Sequence, residues 1–256
     1  GVIWTGANDG PVYVTVNNGE KWNNVTPRGV PSGGRVDAVE PSPHNPAKAY
    51  VAIHRYQLGD WRPYILKTED YGKHWKLLTN GKNGIPADFP TRVVREDPVR
   101  AGLLYAGTEF GVFVSFDDGI SWKKFQQNLP VTPVTDIKIF RDDLVLSTMG
   151  RGFWILDNIT TLRQSKFDSI FTEPLLFKPK DTIRYRDVSS FDSDLKILDY
   201  PPQTVSIDYY LPLSFEGGIS LDIINEDGEL VNSYQGNANK LLKSQITFSE
   251  DMSLSQ

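Results

Sequence analysis

The chain has 256 residues, a formal net charge of −5, 39% hydrophobic residues and no cysteine. This supplies enough apolar material for packed cores, and the acidic balance argues against the basic patch of a nucleic-acid-binding protein. The missing cysteines exclude disulfides and thiolate sites, and every apolar run is too short to span a membrane. The sequence predicts no metal site and no cofactor.

The first 26 residues predict two strands and the start of a third. The runs "VIWTG" and "PVYV" are rich in β-branched and aromatic residues, and the turn residues "ANDG" at 7–10 separate them. The tight turn "TVNNGEKW" follows, from Thr15 to Trp22. Because a strand is predicted at the first residues, we expect the chain to be a piece of a longer protein.

The next segments repeat a four-strand pattern. The second unit contains "RVDAVEP", "KAYVAIH", "PYILKTE" and "HWKLLT", and the third contains "TRVVRED", "LLYAGT", "GVFVSF" and "SWKKFQ". A fourth unit, "LVLSTMGRGFWILDN", aligns without a gap with "LLYAGTEFGVFVSFD". Four short antiparallel strands recurring about every 45–55 residues are typical of propeller blades. We therefore predict an all-β fold with about three and a half β-propeller blades over residues 1–160.

A short box recurs at the turn between the third and fourth strands of three units. Each copy has a hydroxyl residue, then Asp or Asn, then Gly, then Trp, at the same spacing. The copies are Thr15, Asn17, Gly19 and Trp22; Thr68, Asp70, Gly72 and Trp75; and Ser115, Asp117, Gly119 and Trp122.

The box has an architectural interpretation and a chemical one. The glycine permits a positive φ, the hydroxyl and the carboxylate or amide can cap backbone N–H groups, and the tryptophan can pack under the turn between blades. A metal or catalytic role would need several boxes to converge, yet the boxes of different blades lie far apart. We predict that the boxes close hairpins.

Beyond the fourth unit the spacing changes and no further box appears. Residues 161–182 are predicted to be a connector. In residues 183–256, the segments "TVSIDYYLP", "GISLDIINEDGELVNSY" and "KSQITFSE" alternate polar and apolar residues, and Asp227-Gly228 predicts a hairpin turn. This pattern predicts an immunoglobulin-like β-sandwich segment, of which about four or five strands are present.

The segment "SFDDGISW" at 115–122 resembles the Asp-box, or BNR repeat, of the sialidase-like β-propellers. That superfamily includes sialidases, xyloglucanases, the sortilin ectodomain and a photosystem assembly factor. The segments "YQLGDWRPYILKTEDYGKHW", "LPVTPVTDIKIFRDDLVLSTMGRGFWILDN" and "PLLFKP" are similar to large exported bacterial proteins labelled glycosyl hydrolase or sortilin-like. The resemblance implies a secreted, periplasmic or cell-surface location, and it is nearly silent about activity.

The predicted blades do not close a ring, since propellers have four to eight blades. We expect the missing blades to come from the parent chain or from another copy. A small open β array is the alternative, and it would leave sheet edges exposed.

The turns between the second and third strands emerge on the face opposite the boxes, which usually holds the ligand in propellers. Each has a polar or charged residue at its tip, and the second, at 54–63, is a long insertion. One interpretation is that these tips are polar because they are hydrated. The other is that they face a cavity where aromatic rings stack on sugars and two carboxylates serve as acid and base, if they lie about 5–9.5 Å apart. The candidate ligand-face residues are Asp9, Tyr56, Asp60, Trp61, Arg62, Glu109 and Arg151.

No catalytic set can be identified in the sequence. Sialidases combine an arginine triad, a tyrosine nucleophile and a "FRIP"-like motif, and this chain has no such motif and no pattern that groups three arginines. No residue matches a xyloglucanase-like aspartate pair, and the histidines at 44, 54 and 74 are predicted to be structural or solvent-facing. We expect a sialidase-like-superfamily protein that hydrolyses or binds glycans; the alternative is a non-catalytic sortilin-like scaffold for a polypeptide.

Overall fold

A computed structural model describes residues 1–165, 173–181, 205–212 and 214–237. These residues form β-strands, one short 3-10 turn at Tyr56–Leu58 and one short α-helix, which confirms the predicted all-β class. Contacts divide the chain into an N-terminal part, Gly1–Ile159, and a C-terminal part, Thr160–Gln256. Neither helix in the described part of the chain has the length and hydrophobicity needed to cross a membrane.

The N-terminal part contains four antiparallel sheets, and in each sheet every strand pairs with the next one along the chain. The first sheet has β1 (Ile3–Gly6), β2 (Val12–Thr15) and β3 (Asn23–Asn24). The second has β4 (Arg35–Pro41), β5 (Ala49–His54), β6 (Ile65–Thr68) and β7 (Lys76–Leu77). The third has β8 (Thr91–Glu96), β9 (Leu104–Thr108), β10 (Gly111–Ser115) and β11 (Lys123–Lys124). The fourth has β12 (Val134–Phe140), β13 (Asp143–Thr148) and β14 (Phe153–Leu156).

The second and third sheets contain all four predicted strands, which confirms the repeat. Strand β8 packs against β4 and β5 of the second sheet and against β12 of the fourth, so the third sheet lies between its neighbours. Because both of its faces are covered, every residue of β9 and β10 is buried, and these strands are nearly continuous apolar runs. Four-stranded meanders that pack in chain order have the arrangement of propeller blades.

The first strand of the second, third and fourth sheets has a β-bulge near the same end. That end carries the turn between the second and third strands of the sheet, because Arg35 pairs with His54 and Thr91 pairs with Thr108. A bulge leaves one residue unpaired and changes the direction of its side chain. The unpaired residues are Asp37 in β4, Arg92 in β8 and Thr135 in β12.

The C-terminal part begins with helix α1 (Thr160–Gln164), which lies at the start of the predicted connector. Strands β15 (Leu175–Leu176) and β16 (Tyr209–Tyr210) pair, and β17 (Gly218–Ile224) and β18 (Leu230–Asn237) form a hairpin. Gly228 has a φ of +83° in the hairpin turn predicted at Asp227-Gly228. The segment "KSQITFSE" and residues 183–204 lie outside the described residues, so the immunoglobulin-like sandwich stays a prediction.

Candidate functional site

The three boxes have the same internal hydrogen bonds. In the third, the N–H of Gly119 donates to Ser115 Oγ at 2.8 Å, and the Ser115 hydroxyl donates to Asp117 Oδ1 at 2.8 Å. The N–H of Ser121 donates to the same carboxylate oxygen at 2.9 Å. The boxes at Thr15 and Thr68 repeat all three contacts. The box glycines have φ values of +97°, +82° and +83°, so each box uses its polar groups to close its own turn.

Two box tryptophans link consecutive sheets. Trp75 Nε1 donates to the carbonyl of Val25 at 2.6 Å, and Trp122 Nε1 donates to the carbonyl of Leu78 at 3.2 Å. Trp122 is only 3% exposed, whereas Trp22 of the first box is 41% exposed. The boxes therefore close the hairpins and join neighbouring sheets.

The box carboxylates are held in the ionised form. The backbone N–H and imidazole of His74 lower the pKa of Asp70 to about 2. Burial would raise the pKa of Asp117, but hydrogen bonds from Ser121 outweigh it and lower that pKa. Carboxylates in this state accept hydrogen bonds from the turn and are unsuited to act as proton donors at neutral pH.

At the other end of the sheets, the long turn at residues 55–64 folds around Asp60. Arg62 donates to both oxygens of this carboxylate at 2.9 Å, and Arg55 and the Tyr64 hydroxyl donate to Oδ2 at 3.0 and 2.8 Å. The hydrogen bonds of Arg62 are the largest cause of a lowered pKa for Asp60. Burial and the contact with Asp60 raise the pKa of Tyr64 to about 12. Asp60 is therefore an ionised anchor of this turn.

Two aromatic residues of the same turn form what we call the aromatic platform, Tyr56 and Trp61. Their ring centroids lie 6.0 Å apart at an interplanar angle of 61°. Trp61 is 48% exposed, which leaves a large part of its indole available to a ligand. The guanidinium of Arg92, from the third sheet, lies 5.9 Å from the centroid of the Tyr56 ring.

A second group of side chains lies directly behind the platform. We call it the bridging cluster, and it joins the second and third sheets. His54 Nδ1 lies 3.3 Å from Asp37 Oδ2, and His54 Nε2 lies 3.2 Å from Glu109 Oε1. Each carboxylate also has an arginine: Arg35 contacts Asp37, and Arg92 Nε lies 2.5 Å from Glu109 Oε1. The cluster consists of Arg35, Asp37, His54, Arg92 and Glu109.

Electrostatics keep both carboxylates of the bridging cluster ionised. Burial would raise the pKa of Asp37 and of Glu109, but contacts with His54 and the paired arginine lower both pKa values. Neither carboxylate is poised as a general acid, which requires a raised pKa.

Five of the seven predicted ligand-face residues lie in or beside these two groups: Tyr56, Asp60, Trp61, Arg62 and Glu109. The other two do not join them. Asp9 and Arg151 are exposed, and neither side chain has a hydrogen bond or ion pair to the platform or the bridging cluster within the described residues. The Arg151 carbonyl instead accepts a hydrogen bond from Trp154 Nε1 at 3.0 Å.

Sequence reasoning missed the centre of the bridging cluster. It predicted His54 to be structural or solvent-facing and did not single out Asp37, because a bulge that re-aims a strand residue requires knowledge of the partner strand. One signal was available, since His54 stands at the strand end where the third and fourth units have Thr108 and Thr148. A titratable side chain in place of a threonine marks this unit as different.

No group of three or more histidine, aspartate or glutamate side chains among the described residues could hold a metal ion.

Comparisons with known proteins returned structural matches only: no family model and no curated protein matches this sequence. YCF48 bound to a D1 peptide is similar over 60% of this chain, at 15% identity and a TM-score of 0.45. A GH74 enzyme from Niastella koreensis is similar over 61% at 15% identity and a TM-score of 0.47, and the GH74 xyloglucanase from Xanthomonas campestris over 61% at 17% and 0.46. The matched parts span 46%, 26% and 25% of those structures, less than half in each case.

Proposed function

We propose that the chain forms blades of an exported, Asp-box-type β-propeller protein of the sialidase-like superfamily, and that its platform binds a carbohydrate. The remaining blades come from the parent chain or from another copy. Trp61 carries this proposal, because it offers a half-exposed indole on a turn that four polar contacts hold in place at Asp60. Sugar rings stack their C–H faces on such indoles while nearby polar groups bind their hydroxyls.

The polar groups beside the platform suit binding better than hydrolysis by these residues. Arg62 has a side chain that is 61% exposed, so it can donate to a ligand while it holds Asp60. Glycoside hydrolysis with two carboxyl groups needs one of them protonated. Asp60 and Glu109, the two of the three predicted carboxylates that lie in or beside the platform and the bridging cluster, both have lowered pKa values. A glycosidase activity of the parent protein would therefore need acids other than these two.

A glycan array followed by calorimetric titration of the bound oligosaccharides tests the proposal. We expect Trp61→Ala to weaken binding at least tenfold, because stacking on the indole and the apolar area that it buries together contribute about 1.4 kcal/mol or more. Trp22→Ala is the matched control, since that tryptophan is 41% exposed but lies at the box end. An array with no bound glycan, or equal losses in both variants, would contradict the proposal.

A polypeptide ligand, held by a non-catalytic sortilin-like scaffold, is the second candidate. It is favoured by Leu58, which is 57% exposed on the same turn as Trp61 and offers an aliphatic contact that a sugar would not need. Recovery of a polypeptide by the wild-type chain, together with a blank glycan array, would support this candidate. Loss of that polypeptide from Leu58→Ser would place it on the same turn.

A further inference from the structure

His54 lies between two carboxylates that belong to different sheets. It is the last residue of β5, and its side chain is 3% exposed. Asp37 reaches it from β4 of the same sheet, and Glu109 reaches it from the turn after β9 of the next sheet. The imidazole is therefore the only side chain of the bridging cluster that contacts carboxylates from both sheets.

Two carboxylates facing two ring nitrogens restrict the protonation state of the imidazole. A neutral imidazole has one N–H donor and one nitrogen lone pair, whereas the charged form has two donors. Both nitrogens of His54 lie within 3.3 Å of a carboxylate oxygen. A neutral ring would therefore turn a lone pair toward one carboxylate, whereas the charged ring forms an ion pair with both.

The other charged groups around the imidazole do not replace it. Arg35 on β4 pairs with Asp37, and Arg92 on β8 pairs with Glu109, so each arginine serves a carboxylate of its own sheet. Tyr56 covers the ring from the 55–64 turn, with centroids 4.3 Å apart. Removing the proton from His54 would leave each arginine–carboxylate pair intact and remove the ion pairs that connect Asp37 of the second sheet with Glu109 of the third. The packing of β8 against β4 and β5 would remain.

We propose that doubly protonated His54 is a pH-dependent clamp that joins the second and third sheets and positions the aromatic platform. Its ring packs against Tyr56 at an interplanar angle of 37°, and Tyr56 contacts Trp61 edge-on, so we expect a movement of the imidazole to reach the exposed indole. An effect of the clamp on ligand binding rests on the proposed function, but the clamp itself does not depend on any ligand.

The direction of the pH dependence follows from linkage. Burial and the charge of Arg92 would lower the pKa of His54, but its contacts with Asp37 and Glu109 outweigh them and raise that pKa above its usual value. A raised folded-state pKa means that the stabilisation is complete below about pH 6.5, the usual histidine value. The stabilisation is lost as the pH rises through the higher folded-state value.

Nuclear magnetic resonance titration of the folded protein tests the clamp without a ligand. His44→Gln and His74→Gln assign the imidazole signals by elimination, and Trp61→Phe assigns the Trp61 indole signal. We expect the His54 signals to titrate above pH 6.5, and the Trp61 indole signal of the wild type to shift with the same midpoint. A His54 midpoint at or below pH 6.5, or a Trp61 signal that does not follow it, would overturn the proposal.

Unfolding by urea between pH 6 and 8.5 gives the second measurement. We expect the midpoint of the wild type to fall as the pH rises and the midpoint of His54→Gln to stay nearly constant. His74→Gln is the matched control, because the His74 ring is exposed at the box end, and it should keep the wild-type fall. An unchanged fall in a folded His54→Gln protein would contradict the clamp, and if that variant does not fold, the wild-type titration decides alone.

Discussion

The two ends of the sheets are built in different ways. At the box end, the first three sheets carry the same turn, and its polar side chains bond within eight consecutive residues. At the other end, the corresponding turns are unlike one another, and the bridging cluster draws side chains from β4, β5, β8 and the turn after β9. A repeated turn that satisfies its own groups serves the architecture, whereas an unrepeated assembly of charges and exposed aromatic rings can hold a ligand.

The largest expected loss of stability follows from removing the most buried tryptophan at the box end. Trp122→Ala removes an indole that is 3% exposed and donates to the Leu78 carbonyl of the preceding sheet. We expect a loss of about 3–5 kcal/mol in the free energy of unfolding, measured by urea denaturation. Trp22→Ala, at an exposed copy of the same position, should cost less than about 1 kcal/mol. Similar losses in the two variants would contradict the inference that a box tryptophan stabilises the protein by packing between sheets.

A second pair of variants separates backbone strain from close packing. Gly119→Ala places a Cβ about 2.6 Å from Leu78 Cδ1 at a φ of +83°, whereas Gly59→Ala on the 55–64 turn meets no atom within 4 Å at a φ of +75°. We expect Gly59→Ala to cost about 1 kcal/mol from the left-handed backbone alone, and Gly119→Ala about 2–4 kcal/mol. Thermal unfolding of both proteins measures the difference, and equal costs would show that the box glycine serves the backbone only.

The smallest expected effect concerns the charge of a box. Asp117→Asn keeps the oxygen that accepts from Ser121 and removes the charge, as Asn17 already does in the first box. We expect a loss below about 1 kcal/mol at pH 7. Because the folded-state pKa of Asp117 is lowered, the difference from wild type should be complete above about pH 4, the usual aspartate value, and be lost as the pH falls through the lower folded-state pKa. A large loss that persists at pH 2–3 would point to a role other than capping.

The box end could be predicted from the sequence almost completely, because its interactions are local. The hydroxyl, the carboxylate or amide, the glycine and the backbone N–H two residues after it lie within seven residues and form the three shared hydrogen bonds, and the spacing recurs three times. Four strands per unit followed from alternation and turn residues for the second and third sheets. The depth of burial of each tryptophan did not follow, since it depends on whether another sheet covers it.

The turn end could be predicted only in part. The 54–63 insertion marked Tyr56, Asp60, Trp61 and Arg62 as unusual, but their contacts depend on how the turn folds back on Asp60 and on Arg92 of the third sheet, which lies over Tyr56. The sequence predicts Asp60 as a ligand-face residue, and the structure surrounds its carboxylate with two arginines and a tyrosine hydroxyl. The contact of His54 with Glu109 joins residues more than fifty positions apart, and their partners Asp37 and Arg92 stand at β-bulges, so no single-chain pattern encodes the cluster.

The most direct test of the different roles of the two ends is a set of calorimetric titrations. An oligosaccharide that binds the wild type is titrated into wild type, Trp61→Ala and Trp122→Ala. Each protein is titrated under conditions where its unfolding curve shows it to be folded. The proposed roles predict that Trp61→Ala loses binding at least tenfold with an unchanged unfolding midpoint, while folded Trp122→Ala binds like wild type at a lowered midpoint. Loss of binding in Trp122→Ala with full binding in Trp61→Ala would contradict them.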